Sequence, residues 1–372
     1  MLKKLLLGFS LIVPSSSALA GDLTPPSGPV QETDRVTLNA QVISLPYTIS
    51  SPGSYVLTSD FSSAAFANGI KIDANDVTLD LNGFSITNTG PGTSGIFVDP
   101  NVLNVTIKNG SVIDWTVGVN AAASMHVRVI GVTARGSSTG IQVGPSSLVS
   151  NCSAYDVTEG FEVYGGTLIT DCTTQNASTG FTLYTGSSAR DCVSESSTTG
   201  FQMDSNSSAF NCVTNNNSGR GFQFLANTSN ISLQNCKSRG GNHGVLIDTT
   251  DGFTIDGLEA SQSNFGIQCQ GMNGVISNST IKSTGLDGIL LSGTATGIHI
   301  FGNSIHGSST YGIRASPVAG NLITRNTVNG PTNPYDLGAN NSYGPIVDLS
   351  AGGDMSTLAD PNNTHPWANF EY

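Results

Sequence analysis

The sequence predicts an all-β fold, a parallel β-helix of about 12 coils with a capping segment at each end. Two observations predict it. Between Cys152 and Phe201 a Cys preceded by Asn or Asp recurs every 20 residues, and a Gly-Phe pair follows each time. Over a longer stretch, a Gly followed by an apolar residue recurs 12 times. A fixed period of this kind is typical of repeat folds, in which each unit packs on its neighbours.

The glycines mark one strand in every coil. They are spaced by 20–26 residues, and the residues that follow alternate between apolar and polar, as in Phe161-Glu162-Val163. Period-two alternation indicates a strand with one buried face. A leucine-rich repeat would need a regular leucine pattern, which is absent, and a propeller blade is about twice as long. The glycines are Gly69, Gly95, Gly118, Gly140, Gly160, Gly180, Gly200, Gly221, Gly244, Gly266, Gly288 and Gly312.

Residues 1–20 have the pattern of a bacterial-type secretory signal peptide. Lys3 and Lys4 precede a short apolar run, and Ala18-Leu19-Ala20 forms the cleavage site. The run is shorter than the roughly 20 residues of a membrane span. We therefore expect a secreted or periplasmic protein without a spanning segment.

Three further segments are expected. Residues 21–68 form a Pro-rich leader and an N-terminal cap, with two strands within residues 41–57. Residues 69–330 form the β-helix. Residues 331–372 form a C-terminal cap and tail, with a last strand at residues 346–349 and three aromatic residues that dock the tail onto the helix end.

The charge balance argues against a nucleic-acid partner. Without Lys3 and Lys4, 12 basic residues remain against 26 acidic ones, a net charge of −14. Nucleic-acid affinity comes from Lys and Arg that neutralise phosphates. Charged residues make up only 11% of the chain, against about 25% in ordinary domains. The polar surface must therefore consist of Ser, Thr, Asn and Gly.

Five of the six cysteines occupy one repeat position, and Cys269 lies on another strand. The five are Cys152, Cys172, Cys192, Cys212 and Cys236. An inward stack of thiols is the first interpretation, because Cys buries readily. Disulfides are the alternative, since neighbouring coils are about 4.8 Å apart.

An Asn or Asp precedes each of these cysteines. The set is Asn151, Asp171, Asp191, Asn211 and Asn235. In stacked coils such positions are expected to form structural side-chain ladders. Asp171 and Asp191 would repel each other one coil apart. Arg190, or a bound cation such as calcium, would offset that repulsion.

The pattern resembles the right-handed parallel β-helix repeat proteins of the pectate-lyase-like superfamily. The resemblance covers residues 69–330 and is carried by the Gly-apolar starts and by Val105-Thr106-Ile107-Lys108-Asn109-Gly110, Leu233-Gln234-Asn235-Cys236 and Ile323-Thr324-Arg325-Asn326. It implies the fold and says little about activity. Gly241-Asn242-His243-Gly244 is similar to an element of the polygalacturonase relatives, but the paired aspartates that should precede it are missing.

Charged side chains concentrate in the C-terminal half. We expect Lys237, Glu259, Lys282 and His306 to lie in one outward row on four consecutive coils, with Arg239 on the same face. The lyases that this fold resembles use a Lys or Arg to abstract the proton beside a uronate carboxylate, which a base–carboxylate cluster would suit. The alternative is a surface salt-bridge ladder worth about 1 kcal/mol or less per pair.

A second outward row is expected on the strands that follow the glycines. Amides with neighbouring aromatic rings suit sugar hydroxyls and pyranose faces, and they equally suit an ordinary polar sheet. The row contains Gln142, Glu162, Thr182, Gln202, Gln223 and Gln268, with Tyr164, Tyr184, Asp204 and Asp248 two residues further along.

The sequence therefore predicts an exported β-helix protein that interacts with a polysaccharide or cell-surface glycan, with or without cleavage by a uronate lyase mechanism. The alternative is a non-catalytic surface, structural or adhesin-like protein, which the low-charge Ser/Thr/Asn-rich exterior favours. Converging basic and acidic side chains would indicate an enzyme, and dispersed ones a structural rod.

Overall fold

The computed structural model describes residues 35–331, 333–350 and 365–372, and the predicted signal peptide lies outside them. Val36–Tyr372 forms one compact unit. The described residues contain strands and turns and no helix. No helix among them could therefore cross a membrane.

The strands are short and follow one another at regular intervals. They are β1 (Arg35–Leu38), β2 (Tyr47–Ile49), β3 (Gly53–Leu57), β4 (Phe61–Ser63), β5 (Ile70–Ile72), β6 (Val77–Asp80), β7 (Ser85–Asn88), β8 (Ser94–Val98), β9 (Thr106–Ile113), β10 (Val117–Ala121), β11 (Arg128–Arg135), β12 (Thr139–Val143), β13 (Leu148–Ser150), β14 (Ser153–Val163), β15 (Leu168–Thr170), β16 (Thr173–Leu183), β17 (Ser188–Arg190), β18 (Val193–Glu195), β19 (Thr199–Met203), β20 (Ser208–Phe210), β21 (Val213–Asn215), β22 (Arg220–Phe224), β23 (Ser229–Gln234), β24 (Lys237–Arg239), β25 (His243–Ile247), β26 (Asp251–Asp256), β27 (Glu259–Ser261), β28 (Phe265–Cys269), β29 (Met272–Ser277), β30 (Thr280–Lys282), β31 (Ile289–Leu291), β32 (His299–Phe301), β33 (Ser304–His306), β34 (Tyr311–Arg314), β35 (Leu322–Thr324), β36 (Thr327–Asn329), β37 (Asn333–Asp336), β38 (Ser342–Tyr343), β39 (Ile346–Asp348) and β40 (Asn369–Glu371).

Each coil contributes strands to three parallel sheets, which confirms the predicted parallel β-helix. The first sheet contains β2, β5, β8, β10, β12, the last residues of β14 and β16, β19, β22, β25, β28, β31, β34 and β37. The second contains β3, β6, the first residues of β9 and β11, β13, β15, β17, β20, β23, β26, β29, β32, β35 and β38. The third contains β4, β7, the last residues of β9 and β11, the first residues of β14 and β16, β18, β21, β24, β27, β30, β33, β36 and β40.

The first sheet has 14 strands in the described chain, against about 12 coils predicted. The difference arises because segments expected to be caps pair as regular coils. Tyr47 of β2 lies opposite Ile70, and Ile313 lies opposite Tyr335 of β37. The strands predicted within residues 41–57 and at residues 346–349 are present as β2, β3 and β39.

The 12 repeated glycines occupy a position where neighbouring coils meet. At each of them, from Gly69 to Gly312, an added Cβ would come under 3.0 Å from a carbonyl oxygen of the next coil. No Cβ fits at such a distance from backbone. Glycine is thus required here by the close approach of two chains.

Apolar side chains from all three sheets fill the interior. Phe161, Phe181, Phe201 and Phe222 form a column of stacked rings with centroids 4.5–5.1 Å apart. All six cysteines are buried and free, and Cys152, Cys172, Cys192, Cys212 and Cys236 form the inward stack that was predicted. Burial of such side chains is the main favourable term in folding.

The Asn and Asp residues before the cysteines do not form the ladder that was predicted. Among the described residues no hydrogen bond joins their side chains; they share instead a left-handed backbone, with φ of 52–54°. Asn and Asp tolerate this conformation better than other non-glycine residues. A buried amide ladder occurs further along the chain. The side-chain oxygen of Asn326 accepts hydrogen bonds from the backbone and side-chain N–H groups of Asn303 at 3.0–3.1 Å. The same groups of Asn326 donate to the side-chain oxygen of Asn369.

The C-terminal tail docks onto the end of the solenoid, but not through all three aromatic residues as predicted, because Trp367 and Tyr372 are 52% and 51% exposed. Strand β40 pairs with both β36 and β39. The Asn369 side chain is fully buried and donates to the carbonyls of Ile323 and Gly344 at 3.1 Å. The tail therefore covers the last coil with satisfied hydrogen bonds.

We expect Gly160→Ala to destabilise the protein by about 1–3 kcal/mol, because the new methyl would overlap the Gly180 carbonyl and Thr174. In a chain of this length that lowers Tm by about 2–6 °C, measured by circular dichroism. The matched control is Gly285→Ala, whose methyl would meet only the end of the Asn264 side chain closely. Equal losses in both variants would contradict the proposed backbone constraint.

Candidate functional site

Lys237 and Glu259 lie opposite each other on the third sheet, as predicted. Their Nζ and Oε2 atoms are 3.2 Å apart, and the side chains are 63% and 48% exposed. A pair this exposed contributes little free energy, because water screens it. This geometry matches a surface ion pair.

Lys282 and His306 do not continue that row, which corrects the predicted register. Lys282 lies opposite Ser261, in line with Arg239, and His306 lies opposite Lys282. The physical reason is the length of the turn. Gly244 lies eight positions after Cys236, whereas Gly288 lies nine positions after Ser279. An alignment on the glycines therefore places the buried Ile281 in the row, and its outward neighbour Lys282 was predicted there in place of Thr280.

The five predicted side chains therefore form two exposed rows rather than one cluster. Arg239 donates to Gln262 at 2.7 Å, and His306 hydrogen-bonds Ser304 at 2.7 Å. Within the described residues, Lys237–Glu259 is the only ion pair that joins members of this set. Nothing in this arrangement brings a base and a carboxylate together around a groove.

The outward row of the first sheet is present as predicted. Gln142, Glu162, Thr182, Gln202 and Gln223 lie opposite one another on consecutive coils. Leu246 stands between Gln223 and Gln268. We call this outer surface of the first sheet, from β12 to β28, the polar face.

A parallel row on the polar face was not predicted. It is formed by the residue immediately before each glycine: Thr139, Glu159, Thr179, Thr199, Arg220, His243 and Phe265. The alternation that follows each glycine predicts the rows beyond it and carries no information about the position before it. Its signal in the sequence is a polar or aromatic residue directly before every Gly in this stretch.

The two rows bring carboxylates, an amide and two tyrosines together at one end of the polar face. The Gln142 amide donates to Glu162 at 2.5 Å and lies 3.1 Å from the Tyr164 hydroxyl. The Thr182 hydroxyl donates to Glu159 at 3.4 Å. The rings of Tyr164 and Tyr184 stack with centroids 4.3 Å apart. We call Gln142, Glu159, Glu162, Tyr164, Thr182 and Tyr184 the acidic–aromatic cluster.

Burial changes the acid–base behaviour of this cluster. Burial raises the pKa of Glu159, and burial together with the Glu159 charge raises the pKa of Glu162. Burial, followed by the charges of Glu162, also raises the pKa of Tyr184. Each shift favours the neutral form. The half-buried carboxyls thus hold protons to a higher pH than exposed ones.

A second polar network lies three coils further along the polar face. Arg220 donates to Gln223 at 3.4 Å, and Gln223 donates to Asp248 at 3.0 Å. His243 is 9% exposed, and its Nε2 lies 2.7 Å from the Gln268 side-chain oxygen. That contact requires a proton on Nε2. Burial lowers the His243 pKa, which favours the neutral ring.

The arrangement can satisfy a repeating polar ligand. Donors and acceptors recur once per coil, at about 4.8 Å, and the tyrosine stack adds an aromatic surface beside them. Among the described residues no group of three or more His, Cys, Asp or Glu side chains is placed to hold a metal ion. The polar face therefore offers hydrogen bonding and stacking.

We expect Glu162→Gln to gain stability relative to the wild type as pH rises from about 4 to about 7. The raised Glu162 pKa means that the folded protein keeps a proton that the unfolded chain, with a pKa of about 4.3, releases. Wild-type stability therefore falls across this window, and the variant lacks that fall. Differential scanning calorimetry at each pH measures the difference in Tm. The control is Glu195→Gln, on the exposed third sheet; a pH-independent difference for Glu162→Gln would contradict the assignment.

Comparison with known proteins agrees with this architecture. Residues 189–328 match the family model described as right handed beta helix region. The A-module of the Azotobacter vinelandii mannuronan C-5 epimerase AlgE4 is similar in structure, with 14% identity and a TM-score of 0.51 over 78% of this chain and 91% of that chain. The catalytic domain of a GH87 α-1,3-glucanase, solved with nigerose, has 14% identity and a TM-score of 0.53 over 86% of this chain and 69% of that chain.

The tailspike protein of E. coli bacteriophage HK620, solved with a pentasaccharide, has 11% identity and a TM-score of 0.51 over 80% of this chain, which spans 63% of that chain. No curated protein matches the sequence. Likeness at such low identity establishes the fold alone. The chain is a right-handed parallel β-helix protein, the fold that its resemblance to the pectate-lyase-like superfamily implied.

Proposed function

We propose that the protein binds a polysaccharide along the polar face of the first sheet. The observation that carries the proposal is the acidic–aromatic cluster, where stacked tyrosine rings lie beside half-buried hydrogen-bonding groups. Aromatic rings pack against the C–H faces of sugars, while amides and carboxylates bind their hydroxyls. The similar structures include an epimerase of mannuronan, a glucanase and a tailspike bound to a pentasaccharide, which supports a carbohydrate ligand.

The charge of the polar face favours a neutral or amino-sugar polymer. Between β14 and the residues just after β25, the polar face carries four carboxylates and one guanidinium. The guanidinium is that of Arg220, and the carboxylates are those of Glu159, Glu162, Asp204 and Asp248. A polyuronate would place its own carboxylates beside these groups, and like charges repel. This role also requires export, as the signal peptide predicts.

We expect Tyr164→Ala to weaken binding of the preferred oligosaccharide about tenfold, since one stacked ring contributes roughly 1 kcal/mol or more. Isothermal titration calorimetry against neutral, amino-sugar and uronate oligosaccharides measures this. The control is Tyr155→Ala, a partly exposed tyrosine on the third sheet that contacts Arg135. Equal loss in both variants, or binding to none of the three classes, would count against the polar face.

A uronate lyase is the second candidate function, and a different observation favours it. The basic side chains Lys237, Arg239 and Lys282 concentrate on the outer surface of the third sheet. There a cation could neutralise a uronate carboxylate while a neighbouring base removes the adjacent proton. If neither function holds, a non-catalytic surface role remains the better account.

The lyase candidate predicts that the protein raises absorbance near 235 nm with alginate, pectate or glycosaminoglycans. Lys282→Ala should lose this activity, with and without calcium, because Lys282 is the residue that would act as the base in this candidate function. Arg128→Ala, an exposed basic residue of the second sheet, is the matched control. A flat trace with every polymer rules out lyase action on them and leaves the binding proposal intact.

A further inference from the structure

Five cysteine thiols form a continuous column inside the solenoid. Cys152, Cys172, Cys192, Cys212 and Cys236 are each at most 1% exposed. Their register is fixed, because the residues that follow them pair directly on adjacent strands. Side-chain contacts link each thiol to the next along the whole column. Neither proposed function uses these groups.

The geometry of the column permits cross-links between neighbouring coils only. Opposite residues on adjacent parallel strands have Cα atoms about 4.8 Å apart, within the roughly 4.4–6.8 Å that a disulfide tolerates. Residues two coils apart are about 9.6 Å from each other, which no disulfide spans. Cys269 lies between Ile247 and Leu291 on the first sheet, so no thiol is adjacent to it there.

We propose that this column is a site of disulfide formation between successive coils, with two disulfides and one remaining thiol per chain. Five thiols in a row allow three arrangements of two adjacent pairs, which leave Cys152, Cys192 or Cys236 unpaired. Each disulfide closes a loop of one coil. The covalent links would hold the middle coils of the solenoid together.

The oxidant is a small-molecule disulfide such as glutathione disulfide. A cysteine thiolate attacks one sulfur of the oxidant, breaks its S–S bond and releases one thiol. The neighbouring cysteine thiolate then attacks the protein sulfur of the mixed disulfide and releases the second thiol. Two cysteine protons pass to the two departing thiolates. The protein loses two electrons and the oxidant gains two.

Burial decides when this reaction occurs. The oxidant cannot reach side chains that are fully covered, and each thiol of the column is at most 1% exposed. The folded protein therefore resists oxidation. The thiols react while the coils are stacking, or when mild denaturant opens them.

The test is to refold the protein in a mixture of reduced and oxidised glutathione and to map its disulfides by peptide mass spectrometry. We expect links only between adjacent members of the column, with Cys269 left free as an internal control. With two disulfides, the oxidised protein should melt about 8–16 °C above the reduced one, and a reductant should reverse the shift. Links between non-adjacent cysteines, or equal oxidation of Cys269, would overturn the proposal.

Two variants sharpen the test. Cys172→Ala/Cys212→Ala leaves three column cysteines, each two coils from the next, and should form no intramolecular disulfide in the column. Cys192→Ala keeps two adjacent pairs and should form only Cys152–Cys172 and Cys212–Cys236. Because Cys192→Ala preserves most of the column, it gives a result even where the double variant does not fold. Any other pairing in Cys192→Ala refutes the proposed geometry.

Discussion

The close approach of backbone between neighbouring coils sets the dimensions of this molecule. At every repeated glycine, a carbonyl oxygen of the next coil lies where a Cβ would stand. The coils can therefore stack at the spacing of hydrogen-bonded strands, about 4.8 Å, along the whole first sheet. The phenylalanine column, with centroids 4.5–5.1 Å apart, and the Tyr164–Tyr184 stack at 4.3 Å repeat that spacing inside and outside the solenoid.

The same spacing makes one surface suited to an extended ligand. Side chains in one register position recur on consecutive coils, so the polar face repeats its hydrogen-bonding groups along the solenoid axis. A polymer that lies along this axis can meet similar groups at each step. The same repetition occurs in the interior, where phenylalanine rings and cysteine thiols on consecutive coils pack on one another.

Inward positions could be predicted from the sequence because their constraints are strict. The glycines and the cysteine column recur with little variation, since each must fit between two neighbouring coils. Outward positions were harder to predict, because a turn that gains one residue shifts every row beyond it. This shift misplaced Lys282 and His306. The row that contains Arg220 and His243 was not predicted, because it precedes the glycines and the alternation that follows them.

Burial distinguishes the polar face from the basic rows as a site for chemistry. Lys237 and Glu259 are 63% and 48% exposed, so water hydrates both side chains and screens their electrostatic interactions. Glu159, Glu162 and His243 are half-buried or buried. Burial raises the pKa of the two carboxyls and lowers the pKa of His243, and each shift favours the neutral form. Groups whose ionisation depends on their surroundings are candidates for proton exchange with a bound ligand. If the proposed glycan ligand also undergoes a reaction, the polar face holds side chains better suited to proton transfer than the exposed basic rows.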